Sequence, residues 1–197
     1  MARKKINSAT WLDDALEAIR TLRAGGVILH ATDTVWGLAC DATQPEAVKK
    51  LREIKGKDDN SPLLVLVADD GLIQKHIETV PEAAWDLFEC SDRPTTVVMP
   101  GGRGVAPTIL GDESSLGIRR VEDEWSVFVS RGLNRPIVST SANRTGATTP
   151  ARFCDIESTI IKDVDFTSKH RTTDNTRVKS SFMVSFDKAG RFSILRQ

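Results

Sequence analysis

"PLLVLVA", Pro62 to Ala68, is an unbroken apolar run with no polar residue between its hydrophobic ones. A strand with one face in water alternates apolar and polar side chains, because successive residues point to opposite faces. A strand without that alternation belongs at the centre of a sheet that is covered on both sides. The helix "TQPEAVKKLREIKG" (43–56) precedes this run, with Pro45 in its first turn and Ala47, Val48, Leu51 and Ile54 on one stripe. Further upstream lie the short apolar strand "GVILHA" (26–31) and the helix "TWLDDALEAIRTLRAGG" (10–26), whose stripe ends near Gly25. Downstream, "VPEAAWDLFEC" (80–90) and "EDEWSVFVSRGL" (122–133) read as helices, and "TTVVMP" (95–100), "SLGIRR" (115–120) and "PIVSTS" (136–141) as strands. The end changes character. "STIIKDVDF" (158–166) and "SSFMVSFDKAGRFSILR" (180–196) read as strands, the latter folded at "DKAG". The pattern predicts an α/β fold in one domain over residues 1–197, on a mixed sheet whose antiparallel strands are added late.

Composition narrows the function. Lys and Arg number 27 and Asp and Glu 27, so no global charge draws the chain to nucleic acid or a membrane, and a polyanion site must be a local patch. No apolar run reaches the roughly 20 residues of a membrane helix. Cys40, Cys90 and Cys154 are isolated and form no Cys-x-x-Cys, which argues against a disulfide framework or a structural zinc site and fits a reducing cytoplasm. His30, His76 and His170 are equally scattered and read as structural or surface residues. The chain has no P-loop, no G-x-G-x-x-G after a strand and no G-x-S-x-G elbow.

Four segments carry chemistry instead. "HATDTVWGLACDA" (30–42) is an elaborate connection out of a strand, with Thr32 and Thr34 hydroxyls where open α/β sheets bind ligands and with Trp36 able to wall a pocket. "KGKDDNSPLL" (55–64) offers Lys55 and Lys57 from a loop after a helix, either as an anion clamp or as a solvated helix end that complements the dipole. In "SLGIRR", alternation puts Leu116 and Ile118 on one face and Gly117 and Arg119 on the other, so Arg119 is at an edge or in a site that grips a carboxylate with both arms. "IVSTSANRTG" (137–146) brings Ser139, Thr140, Ser141 and Asn143 to a strand end with no adjacent base, which disfavours a nucleophilic serine.

Taken in order, these segments resemble the motifs of the YrdC-like family, the threonylcarbamoyl-AMP synthases. The family pattern P-T-(D/E)-T-(V/T)-Y-G-L is met by "ATDTVWGL", K-x-R by "KGK", G-(V/I)-R by "GIR", (S/T)-S-A-N-x-S-G by "TSANRTG", and the closing L-R by "ILRQ". The departures are Trp36 for Tyr, Lys57 for Arg, Asp58 for Pro, Val121 for a second Pro, and "KSSFM" before the last strands. The likeness runs from about Gly25 to the C-terminus and has the length of the short, single-domain form.

The resemblance implies a twisted YrdC/RibB-like sheet with a concave basic cavity. It implies a nucleotidyltransferase that makes L-threonylcarbamoyl-AMP and pyrophosphate from L-threonine, bicarbonate and ATP, with Mg²⁺ carried on the ATP. The product would serve threonylcarbamoyladenosine formation in tRNA, with tRNA-modification proteins as partners and no membrane. On this reading Thr32 holds threonine, Thr34 and Trp36 shape the pocket floor, Arg119 pairs with the threonine carboxylate and Ser139 assists. Lys55 and Lys57 act on the ATP phosphates and the carbamate as the catalytic pair. Ser61, Ser115, Ser141, Asn143, Thr149 and Arg196 contact the nucleotide. The rival reading is a non-catalytic module of the same fold that binds tRNA or double-stranded RNA.

Overall fold

The computed structural model describes residues 8–56, 61–174 and 180–197, with side chains from Trp11 onward. Nine strands form one sheet: β1 Ile28–His30, β2 Gly37–Asp41, β3 Leu64–Val67, β4 Thr95–Met99, β5 Leu116–Arg120, β6 Ile137–Ser141, β7 Phe166–Thr167, β8 Phe182–Phe186 and β9 Phe192–Arg196. Their order is β7-β1-β2-β6-β3-β5-β4-β8-β9, which puts the Pro62–Ala68 run at the centre. β3 runs parallel to β5 and antiparallel to β6. Helices α1 Ser8–Arg23, α2 Pro45–Lys55, α3 Asp70–His76, α4 Glu82–Cys90, α5 Glu124–Leu133 and α6 Ser158–Asp163 flank the sheet.

Three expectations change. "HATDTVWGLACDA" is more than a connection out of a strand, for it contains β2, which folds back antiparallel on β1 and pairs His30 with Gly37 and Ile28 with Ala39. All five β2 residues are buried between β1 and β6, so the strand shows no alternation to read. "STIIKDVDF" is not one strand but α6 followed by the two-residue β7. Its β-branched run favours a strand by propensity. Ile160, Ile161 and Val164, however, all pack on the core, an i, i+1, i+4 spacing that is one face of a helix. The sheet is mixed, as expected, but its antiparallel pairs begin with β1–β2 and are not confined to the end.

One sheet face is covered by α2, α3, α4 and α6, with Leu38, Val65, Val97, Leu116, Ile118 and Val138 in the same core. The other face is covered only in part. There α1 and α5 pack on Ile28, Ala39, Leu66 and Ile137. The two helices approach closely at Gly132, where a methyl group would stand 2.4 Å from Ile19 Cδ1. The next residues of the same face, Gly37, Ser139, Leu64, Gly117, Val98 and Met183, have no helix above them and form the floor of a cavity.

Candidate functional site

The cavity holds about 520 Å³, within the range of pockets that take small ligands. Its floor is low because two of its residues lack side chains. A Cβ on Gly37 would press on Ser139 Oγ and Thr140 O at 3.3 Å, and one on Gly117 would meet Leu64, Val98 and Thr96 at 3.4 to 3.6 Å.

One wall comes from the loop between β1 and β2 and from Arg119 on β5. Arg119 Nη1 donates to Thr34 Oγ1 at 2.8 Å, Thr34 Oγ1 lies 2.8 Å from Thr32 Oγ1, and Thr32 Oγ1 donates to Val35 O at 2.8 Å. A guanidinium can only donate and each hydroxyl has one proton, so the chain has one direction: Arg119 to Thr34 to Thr32 to the Val35 carbonyl. The Thr34 amide adds a second donor to Thr32 Oγ1 at 3.0 Å. The Thr32 hydroxyl is thereby fully engaged within the protein, and its γ2 methyl group lies against the Gly37 floor. The other guanidinium arm stands 3.1 Å from Asp33 Oδ1. Burial pushes the Arg119 pKa down and the Asp33 pKa up, and in each case the charge of the partner opposes the shift.

The opposite wall is built late in the chain. Arg196 donates through Nε to Ser181 O and through Nη2 to Ser181 Oγ, both at 2.9 Å, and Ser181 Oγ sits 2.8 Å from Thr96 Oγ1. Burial lowers the Arg196 pKa. Ser180, Met183 and Leu195 complete this side. At the rim, Gly111, Asp112 and Ser115 belong to a tight turn in which Glu113 and Ser114 both have φ of 55°. Left-handed backbone costs non-glycine residues about 1–2 kcal/mol each. The turn is held by bonds from Gly102 N to Ser114 O and from Ser115 N to Asp112 O, at 2.7 and 2.9 Å. A Cβ on Gly111 would lie 2.7 Å from Ser115 Oγ and 2.9 Å from Pro62 Cγ, so a larger residue there would displace its neighbours.

The structure brings together Thr32, Thr34, Ser115, Arg119, Ser139, Ser141, Thr149 and Arg196 on the cavity lining. It places four other expected residues off that lining. Trp36 is buried in the core, its ring 5.0 Å from that of Phe153. Lys55 is buried at the end of α2, where Nζ donates to Ser141 O, Ser141 Oγ and Asn143 Oδ1 at 2.6, 3.0 and 3.1 Å. Asn143 in turn donates to Ala147 O at 2.6 Å, and the Thr145 amide donates to Lys55 O at 2.9 Å, so α2 fixes the loop that follows Ser141. Ser61 lies beside the cavity, its carbonyl accepting from Arg52 at 2.8 Å. Lys57 lies outside the described residues. Sequence reasoning missed Asp33, Asp112 and Ser181. Asp33 sits between two threonines that were singled out. Ser181 carried the weaker signal of a small polar residue at the start of a strand.

Comparison with known proteins bears on this arrangement. The Sua5/YciO/YrdC family model, described as "Telomere recombination", matches residues 20–197. The threonylcarbamoyl-AMP synthase of Methylobacillus flagellatus is 34% identical over 126 residues, 64% of this chain and 70% of that relative. The threonylcarbamoyl-AMP synthase of Stenotrophomonas maltophilia is 28% identical over 151 residues, 75% of this chain and 81% of that relative. Among solved structures, P. abyssi Sua5 complexed with L-threonine has a TM-score of 0.81 at 22% identity, over 94% of this chain and 54% of that chain. E. coli YciO has a TM-score of 0.79 at 19% identity, over 95% of this chain and 89% of that chain. The chain therefore spans about half of the Sua5 structure and most of YciO, and these two likenesses establish the fold.

Proposed function

The chain belongs to the Sua5/YciO/YrdC family, and from that premise we propose that it is a threonylcarbamoyl-AMP synthase. The reaction joins L-threonine, bicarbonate and ATP into L-threonylcarbamoyladenylate and releases pyrophosphate and water. The observation that carries the reading is a single cavity lined by two arginines, Arg119 and Arg196, and by neutral hydroxyls. A monoanionic amino acid and a polyphosphate need this distribution of charge.

The chemistry asks little covalent work of the protein. The threonine amine takes up bicarbonate to give a carbamate with loss of water. A carbamate oxygen then attacks the α-phosphorus and pyrophosphate leaves. Charge grows on phosphate oxygens, so fixed positive charge and positioning supply the catalysis. Arg119 would hold the threonine carboxylate, with Ser139 beside it and the Thr32 methyl below. Ser115, Ser141, Thr149 and Arg196 would meet the nucleotide. Lys55 would act through Ser141 and Asn143, and Lys57 would meet the phosphates.

Mg²⁺ would travel on the triphosphate. Among the described residues Asp112 is the one carboxylate on the cavity lining, and no three His, Cys, Asp or Glu gather as a metal site. That donor set suits an ion carried by its phosphates. The product would pass in the cytoplasm to proteins that modify tRNA. No helix among the described residues is long and apolar enough to cross a membrane. The test is pyrophosphate release from ATP with threonine, bicarbonate and Mg²⁺ each omitted in turn. Release that needs all three is expected. Release indifferent to threonine, or no release from folded protein, overturns the proposal.

A further inference from the structure

The loop between β1 and β2 has a second neighbour besides the main cavity. Thr32, Thr34 and Val35 line that cavity and also a narrow crevice of about 10 Å³, which Arg171 and Asp174 close. Neither Arg171 nor Asp174 lines the main cavity. Arg171 Nη1 donates to Thr32 O at 2.8 Å. Nε and Nη2 of the same guanidinium stand 3.0 and 2.9 Å from Asp174 Oδ2. One planar group thus spans two acceptors, which fixes its orientation.

The segment that delivers Arg171 is anchored at its base. Ser168 N donates to Leu29 O at 2.8 Å, and Ser168 Oγ and Lys169 N donate to the two oxygens of Asp14 at 2.6 and 2.7 Å. Arg171 itself has φ of 61°, a left-handed conformation that is costly for a residue with a Cβ. Such a conformation persists where the surrounding contacts over-determine it.

Thr32 is buried, and among the described residues no backbone amide donates to its carbonyl. The crevice is at the lower limit of the space that one water needs. Without Arg171 the Thr32 carbonyl would be a buried acceptor lacking a donor, and the Thr32–Asp33 peptide would turn to find one. That turn would shift the Thr32 and Thr34 hydroxyls, and Thr34 Oγ1 is the acceptor that orients Arg119 Nη1.

We propose that Arg171 is a positioning residue for the amino-acid substrate: it holds the Thr32 carbonyl from the crevice and thereby fixes Thr32, Thr34 and Arg119 in the geometry that receives threonine. The proposal rests on the synthase reading. Arg171 acts through the loop and touches no substrate itself.

The experiment compares wild type with Arg171→Met, which keeps the length of the side chain but has no donor, and with Arg171→Lys, which keeps one charged donor. In Arg171→Met the KM for threonine should rise about tenfold, the scale of one lost hydrogen bond from a charged group, while the KM for ATP and the kcat at saturating threonine stay near wild type. Arg171→Lys should recover most of the affinity for threonine. A role confined to folding would lower the amount of active enzyme, and so kcat, and leave both KM values alone. An unchanged KM for threonine in folded Arg171→Met, or an equal rise for ATP, overturns the proposal. If Arg171→Met does not fold, Asp174→Asn decides, since loosening the guanidinium should raise the KM for threonine alone and no rise overturns the role. Amide exchange at Thr34, whose N–H donates to Thr32 Oγ1 at 3.0 Å, needs no turnover. Faster exchange in Arg171→Met, restored in Arg171→Lys, supports the hold on the loop, and unchanged exchange overturns it. Absence of threonine-dependent pyrophosphate release in wild type would strike the synthase reading, and the exchange measurement would still decide whether Arg171 holds the loop.

Discussion

The two ends of the cavity are built on different principles. The Arg119 end rests on central strands and a loop of six residues between β1 and β2. Its donors and acceptors are matched to one another in a single direction, and Thr32, Thr34 and Arg119 are all buried. The Arg196 end rests on β8 and β9, the last two strands at one edge of the sheet. There Phe192, Ile194 and Leu195 are 51% to 64% exposed. A buried, hydrogen-bonded end holds its geometry before a ligand arrives, whereas an edge hairpin opens at low cost.

The sharpest way to break this comparison is Arg119→Ala. It should lower threonine-dependent pyrophosphate release by about 10²–10³-fold, the scale of losing a preorganised charged donor. It should also lower stability by about 3–5 kcal/mol, since it leaves the Asp33 carboxylate buried and unpaired. Denaturant titration of the double variant Asp33→Asn/Arg119→Met should recover most of that stability without recovering activity. Retained turnover in Arg119→Ala would remove the amino-acid end from its assigned place.

A second effect concerns the foundation of that end. His30 closes β1, is wholly buried and stacks on Trp125 at 5.2 Å. Burial pushes its pKa down to about 4. The unfolded chain therefore takes up this proton first, and the stability contributed by a neutral His30 is complete above about pH 6.5 and falls as the pH drops towards 4. The loss amounts to about 3 kcal/mol across that window. Stability curves of His30→Leu should be flatter over the same range, and an unchanged slope would contradict the assignment.

Thr34→Val is the next step down. It removes the acceptor of Arg119 and the donor to Thr32 while keeping the shape. Stability should fall by about 1–3 kcal/mol, and the KM for threonine should rise while that for ATP stays near wild type. The smallest effect belongs to the edge. Arg196→Gln should raise the KM for ATP severalfold with a stability change below about 1 kcal/mol, because the side chain is only partly buried at the sheet edge. A loss as large as that of Arg119→Ala would erase the distinction between the two ends.

Much of this was legible in the chain. The run from Pro62 to Ala68 marked the central strand because its lack of alternation has one physical cause, burial on both faces. Alternation alone put Gly117 and Arg119 on the face opposite Leu116 and Ile118, and those two residues line the cavity. β2 was not legible, because five consecutive buried residues after a polar loop show neither helical nor strand period. Nor was Lys55 legible as an internal tie, since only the return of β6 brings Ser141 and Asn143 to the end of α2.

The sequence by itself determined which residues could turn inward, because the periods of helix and strand are local properties of a few neighbouring residues. It determined the class of sheet and the list of polar groups that the strand ends could offer. Only the tertiary structure decided which of them meet. Thr34 and Arg119 lie 85 positions apart and Ser181 and Thr96 also 85, so their bonds depend on strand order and register. The cavity itself was decided the same way. It exists because α1 and α5 cover only one part of a sheet face, and no local pattern records where a distant helix stops.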